Sequence, residues 1–181
     1  MPVSQLLRLN VDRIRGKHER VDRRFEPSVF AEQAESYRIV EPVELGFDVT
    51  KDDTGALRLT GDLRTTVEVT CSRCVEPFRM PVTVPFDVHY LPVVAVPGDS
   101  EREVQEGDLA TAFYENDAIE LDDLIREQIY LSLPMKPLCT DDCGGLCPTC
   151  GRNLNSGSCE CSPTWDDPRL AALKALRKRE N

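Results

Sequence analysis

Eight cysteines in a chain of 181 residues, six of them inside the 23 residues from Cys139 to Cys161, constrain this sequence more than any other feature. Thiols at such density are held together by disulfides or by metal, and their spacing decides between the two. Cys71-Ser72-Arg73-Cys74 lies between two runs of alternating apolar residues, which places it at the tip of a hairpin. Two thiolates three residues apart at a tight turn can converge on one ion. Taken alone the CxxC is ambiguous, because it also suits a redox pair in which Arg73 lowers a thiol pKa. No βαβ pattern surrounds it, however, and a thioredoxin-type pair would sit at a helix N-terminus.

The second group is more specific. Leu138 to Ser162 reads LCTDDCGGLCPTCGRNLNSGSCECS and holds Cys139, Cys143, Cys147, Cys150, Cys159 and Cys161. Within it Cys147-Pro148-Thr149-Cys150-Gly151 is the CPxCG knuckle of zinc ribbons. Pro148 stiffens the turn, and Gly151 permits positive φ so that backbone N–H groups can point at the sulfurs. Eight cysteines fill two tetrahedral sites, which predicts one or two zinc ions as cofactor. The favoured partition joins Cys71 and Cys74 to Cys139 and Cys143, leaving Cys147, Cys150, Cys159 and Cys161 for the second ion, since each site then takes two short-range pairs. A single zinc in the tail, with Cys71 and Cys74 in another role, is the rival. A disulfide framework is disfavoured because Met1 to Asn10 has no basic segment before an apolar core, so no secretory signal is expected. Four-cysteine sites are closed and leave no position for an activated water, so the expected role of the metal is structural.

The charge is unevenly spread. The net value is −10, yet residues 1–25 carry seven Arg and Lys against three acids, and residues 168–181 carry five against one. Residues 98–123 hold ten acids and one Arg. Basic ends can touch RNA, an acidic middle can engage a basic protein, and the overall sign excludes a dedicated non-specific DNA binder. No apolar run approaches the ~20 residues of a membrane span, so no membrane partner and a cytoplasmic location are expected.

Periodicity predicts an α+β chain: a small antiparallel β-sheet with a packed helix, a cysteine-rich zinc-ribbon-like segment and a C-terminal helix. Leu6 to Val11 reads as a short strand, and the basic stretch through Arg24 as a loop or strand margin. Alternation is clear over 41–50, 56–70 and 82–90, the pattern of half-buried strands in a meander. Residues 97–108 form an acidic loop, and a short strand is expected near Ala112 to Tyr114. Leu121, Leu124, Ile125 and Ile129 switch to helical spacing, with Asp122 and Asp123 at the positive end and Pro134 as the stop. Asp166 to Pro168 opens a last helix beside Trp165, a packing residue. The expected division is a core of 1–135 and a cysteine-rich segment with the terminal helix over 136–181.

Enzyme templates find no purchase. His18 and His89 have no Ser or Cys partner in a nucleophile motif, and neither a GxGxxG nor a Walker loop is present, so no catalytic residue and no small-molecule substrate are expected.

Four pieces in order, VTCSRCVEPF (69–78), IELDDLIREQIYLSLPMKP (119–137), LCTDDCGGLCPTCGRNLN (138–155) and the DPRLAALKAL ending, resemble the YceD-like family of large ribosomal RNA subunit accumulation proteins. The resemblance spans roughly the C-terminal two-thirds of the chain. It implies a non-enzymatic factor that supports 23S ribosomal RNA accumulation and large-subunit biogenesis, binding precursor 23S RNA, a basic large-subunit ribosomal protein, or both. Candidate RNA-touching residues are Arg8, Arg13, Arg15 and Lys17 at one end and Arg177, Lys178 and Arg179 at the other, with Arg73, Arg79 and Arg152 flanking the cysteines. Two alternatives stay open: a thiol-disulfide redox protein using Cys71 and Cys74, and a protein-only zinc-ribbon adaptor that holds a basic partner through its acidic stretch.

Overall fold

A computed structural model describes residues 7–14, 16–30, 36–93 and 111–161. The expected final helix and 97–108 loop, together with Trp165, Arg15, Arg177, Lys178 and Arg179, lie outside the described residues. The described residues build eight strands: β1 (Arg8–Asn10), β2 (His18–Phe25), β3 (Arg38–Ile39), β4 (Val43–Lys51), β5 (Leu57–Thr70), β6 (Pro77–Pro92), β7 (Thr111–Tyr114) and β8 (Ala118–Glu120). The helix α1 (Leu121–Ser132) follows them.

The main sheet runs β2-β4-β5-β6-β7, and β3 also pairs with β5. β3 and β4 share one lane beside β5, interrupted at Val40 to Pro42, where Thr65 Oγ1 donates to the Glu41 carbonyl at 3.0 Å. The longest ladder joins β5 to β6 over 14 residue pairs, from Leu57 opposite Tyr90 to Thr70 opposite Pro77. Its alternation puts Leu57, Leu59, Leu63, Val67 and Val69 of β5 on the inner face, with Val43, Leu45, Phe47 and Val49 of β4 beside them, all buried. Helix α1 lies on this face through Leu121, Leu124, Ile125 and Ile129, each at most 1% exposed. Leu133 then turns extended ahead of Pro134, as the residue before a proline must, and the helix ends. A two-stranded pairing of β1 with β8 closes one side, joined by the Leu121 N–H to the Leu7 carbonyl at 2.7 Å.

A cross-strand row fixes the centre of the sheet. Phe47, Gly61 and Phe86 are register partners across β4, β5 and β6, and the two rings meet over the glycine with centroids 6.3 Å apart. A Cβ on Gly61 would lie 2.1 Å from the Gly46 carbonyl oxygen and 2.6 Å from the Phe47 Cα. Neither atom can retreat without breaking the ladder.

The strands over 41–50 and 56–70, the short strand at 111–114 and the helix match the periodicity. Three features differ. The basic stretch before Arg24 is an eight-residue strand, β2, rather than a loop. It buries only Val21 and Phe25, so it carries no period-2 signal. β2 stands at one end of the strand order among the described residues, aligned by ion pairs from Arg20 to Asp48 (3.1 Å) and Arg24 to Glu44 (2.9 Å). β6 begins at Pro77, five residues earlier than the alternation from Val82 suggests. Pro77, Pro81 and Pro85 would veto a central strand, yet they share one parity and so direct their missing N–H away from β5, onto the side that no described strand covers before His89. The sheet is also mixed rather than wholly antiparallel: β7 runs parallel to β6, His89 opposite Thr111. Four residues hold no pattern from which direction could be read. Among the described residues no helix is long and apolar enough to cross a membrane.

Because Gly61 is walled in by backbone, Gly61→Ala is expected to destabilise the protein by roughly 2–3 kcal/mol, the upper part of the overpacking range. Chemical denaturation measures it, and a change below about 0.5 kcal/mol would show that the β4–β5 lane can open to admit a methyl group.

Candidate metal centres

The β5–β6 ladder ends in a six-residue turn, and the turn is the first cysteine pair. Cys71 accepts from the Val75 N–H at its carbonyl (3.0 Å) and donates its own N–H to the Glu76 carbonyl (2.9 Å). The second pair repeats this wiring: Gly151 N–H to the Cys147 carbonyl at 2.9 Å, and Cys147 N–H to the Arg152 carbonyl at 2.8 Å. Both turns require positive φ just after the second cysteine, 61° at Val75 and 72° at Gly151. CSRCV is therefore the same knuckle as CPTCG, built at a position where valine replaces the expected glycine. The glycine marks this turn in a sequence, whereas its hydrogen bonds need only the dihedral. This turn between antiparallel strands is not a helix N-terminus, the setting of a thioredoxin-type pair.

The eight sulfurs gather into two groups of four, Cys71/Cys74/Cys139/Cys143 and Cys147/Cys150/Cys159/Cys161, with the Sγ atoms of each group all within 4.8 Å of one another. This is the grouping that the spacing favours. In the first group Cys71 and Cys143 approach to 3.7 Å, and Cys74 and Cys139 to 3.8 Å. Thiolates set tetrahedrally on arms of ~2.3 Å are about 3.8 Å apart, whereas a disulfide requires ~2.05 Å. All eight cysteines are free thiols. Each group could hold one metal ion.

The first centre is the more enclosed, with Cys71, Cys74 and Cys143 buried and Phe78 and Leu138 against them. Four contacts bring the 137–143 segment to the knuckle. The Ser72 N–H donates to the Pro137 carbonyl (2.8 Å), the Cys139 N–H reaches Cys71 Sγ (3.5 Å), and Arg73 Nη1 donates to the carbonyls of Asp141 (3.2 Å) and Cys143 (3.1 Å). In the second centre Cys147 is buried, Cys159 and Cys161 half-buried and Cys150 exposed. The Thr149 N–H points at Cys147 Sγ from 3.4 Å.

These N–H groups make the thiols unequal. Cys71 is drawn down to about 6, chiefly by the Cys74 N–H, and Cys147 to about 6 by the N–H groups of Cys150 and Thr149. Against the pull of the Glu76 N–H, burial and its neighbouring thiols push Cys74 up to about 12; Cys161 rises to about 12 beside Cys150. Four thiolates cannot coexist in either pocket without a cation, because each charge raises the cost of the next. A divalent ion removes that conflict.

Sequence reasoning also missed Asn155, whose Nδ2 donates to Cys143 Sγ at 3.2 Å and lowers its pKa. Nothing in an Asn-Ser-Gly turn marks such a role. Of the basic candidates, Arg8 pairs with Glu120, Lys17 with Asp53 (3.0 Å), and Arg152 closes its own loop on the Ser158 carbonyl (3.2 Å). Arg73 is exposed but committed to the first centre. Arg13 and Arg79 are exposed and have no ion pair among the described residues.

A family model described as large ribosomal RNA subunit accumulation protein YceD matches residues 59–177, from β5 through both cysteine groups. The chain belongs to the YceD family. A maize chloroplastic protein named as a YCED homolog 1 is 33% identical over 168 residues, covering 76% of this chain and 54% of the relative. An uncharacterised Mycobacterium tuberculosis protein is 30% identical over 129 residues, 64% of this chain and 60% of that one. The chloroplastic YCED homolog 1 of Arabidopsis thaliana is 24% identical over 159 residues, 76% and 49% respectively. The chain thus spans between about half and three fifths of the length of these relatives. No solved structure matches.

Val75 is 61% exposed and sits in the left-handed region, which costs a β-branched residue on the order of 1–2 kcal/mol. Val75→Gly is therefore expected to raise stability by roughly 0.5–1 kcal/mol after the added unfolded-state entropy of glycine. Paired denaturation curves of parent and variant in the same buffer test this, and an unchanged or lower midpoint would refute it.

Proposed function

We propose that this YceD-family chain is a non-enzymatic, zinc-stabilised cytoplasmic factor that supports 23S rRNA accumulation and large-subunit biogenesis by binding precursor rRNA, a basic large-subunit ribosomal protein, or both. The family match over 59–177 carries this reading. Zinc is the ion favoured by an all-thiol donor set with tetrahedral spacing, with Cys71, Cys74, Cys139 and Cys143 as ligands of one ion and Cys147, Cys150, Cys159 and Cys161 of the other. Such sites are closed, so the metal would shape the 136–161 segment and fasten it to the β5–β6 tip rather than activate a substrate. The core of 1–135 and the cysteine-rich unit of 136–181 are read as two parts joined at that fastening.

Contact with RNA would fall to Arg13 and Arg79, to Arg73 and Arg152 beside the centres, and to Arg177, Lys178 and Arg179. Affinity carried by phosphate contacts drops by about one log unit per log of salt for each phosphate neutralised. The net charge of −10 favours a second reading, an adaptor that holds a basic ribosomal protein and touches no RNA.

Two experiments separate these readings. Metal analysis of protein purified anaerobically is expected to give two zinc ions per chain, with Cys71→Ser and Cys147→Ser each losing one while the sheet persists by circular dichroism. Metal-free protein with a Cys71–Cys74 disulfide would instead support the redox alternative. Capture of the tagged protein from its own cells after ultraviolet crosslinking is expected to enrich discrete 23S precursor fragments. Recovery of a ribosomal protein with no crosslinked RNA would favour the adaptor, and recovery of neither would remove the ribosomal reading.

A further inference from the structure

Only Gly144, Gly145 and Leu146 separate Cys143 of the first centre from Cys147 of the second. These three residues form one limb of a short hairpin whose turn is the second knuckle. The other limb is 152–155, in register through the Cys147 N–H to the Arg152 carbonyl (2.8 Å), the Leu146–Asn153 bridge and the Leu154 N–H to the Gly145 carbonyl (2.8 Å). The last rung is made by a side chain: the Gly144 N–H donates to Asn155 Oδ1 at 2.7 Å. With its oxygen on that N–H, the amide has to aim Nδ2 the other way, at Cys143 Sγ. Asn155 is itself set by its own N–H on Asn153 Oδ1 at 2.9 Å. A residue that lies between two cysteines of the second centre in sequence thus donates to a sulfur of the first in space.

We propose that Asn155 couples the two centres, so that metal held by Cys147, Cys150, Cys159 and Cys161 raises the affinity of the Cys71/Cys74/Cys139/Cys143 centre. The inference rests on the zinc reading above. Its physical basis is the weakness of the hairpin. An isolated two-stranded hairpin is marginal in water, and the flanking Leu146 is 38% exposed, so this one has little apolar burial of its own. An ion at the turn joins Cys147 and Cys150 to Cys159 and Cys161, closes the limbs and delivers the Asn155 amide to the thiolate. Without that ion the second limb is released and Cys143 loses its donor. By linkage the effect is reciprocal, and the first ion strengthens the second by the same factor.

The test is competition against a chromophoric zinc chelator with full-length protein, following each centre separately. Cobalt serves as a second probe, since its thiolate charge-transfer band shifts when a hydrogen bond to a ligand sulfur is lost. Asn155→Ala is expected to weaken zinc at the first centre about 10–100-fold, the usual effect of losing an outer-shell partner. Cys147→Ser, which removes the second centre, is expected to weaken the first to a similar degree. The double variant should then be no weaker there than either single one, because both act through the same bond. Asn155→Asp keeps the acceptor for the Gly144 N–H but loses the donor. It should weaken the first centre at least as much as alanine and shift its cobalt band, whereas a purely structural asparagine would tolerate aspartate. A first centre unaffected by Asn155→Ala, or additive losses in the double variant, would overturn the coupling while leaving two zinc ions in place. A parent chain that takes up no zinc would overturn the zinc reading and the coupling together.

Discussion

The ladder between β5 and β6 is the constraint on which the remaining structure depends. Its 14 pairs carry the inner face that α1 covers and, at the far end, set the turn that bears Cys71 and Cys74. Because side chains alternate with a period of two, a slip of one residue would turn Leu57 through Val69 out to solvent and displace the first two thiols. The Phe47–Gly61–Phe86 row makes that slip costly: only one residue of β5 lacks a Cβ at the place where two rings must close over it. Core register and thiol position are thus one choice. The core does not merely support the first cysteine group; it aligns half of it.

What could be read beforehand follows from which signals survive in one dimension. The grouping of eight cysteines was legible because short-range pairs limit which sulfurs can meet, and α1 was legible because four buried residues repeat at helical spacing. β4 and β5 declared themselves through strict alternation. β2 did not, since an edge strand that buries only Val21 and Phe25 is specified by its neighbour's backbone and by charges opposite it. The parallel direction of β7 is a property of chain path. Asn155 was invisible for a related reason: its role is defined by a sulfur twelve positions away and by an N–H that settles which way its amide turns. Val75 was hidden by its identity, a residue type that ordinarily argues against the conformation it adopts.

Charge behaves differently in the fold than along the sequence. On the solvent face of the sheet the arginines are matched across strands, Arg20 with Asp48, Arg24 with Glu44, Arg38 with Glu68 and Arg58 with Asp87. Exposed pairs of this kind contribute little to stability. The pairs of Arg20 and Arg24, with those of Arg8 and Lys17, do offset the basic N-terminal stretch locally, so the count of seven Arg and Lys in residues 1–25 overstates the positive surface that a partner meets. Cations without an ion pair among the described residues, such as Arg13 and Arg79, then carry more weight than their number suggests.

The three prolines of β6 act on the world outside the chain. Among the described residues no strand pairs with the outer side of β6 over 77–87, and prolines occupy 77, 81 and 85, three of the six positions whose N–H would face that way. A stray strand laid along this border would find every second donor missing and could not complete a ladder there. An exposed sheet border is a template for runaway self-association. The prolines of β6 withhold half of the donors that such a template would need.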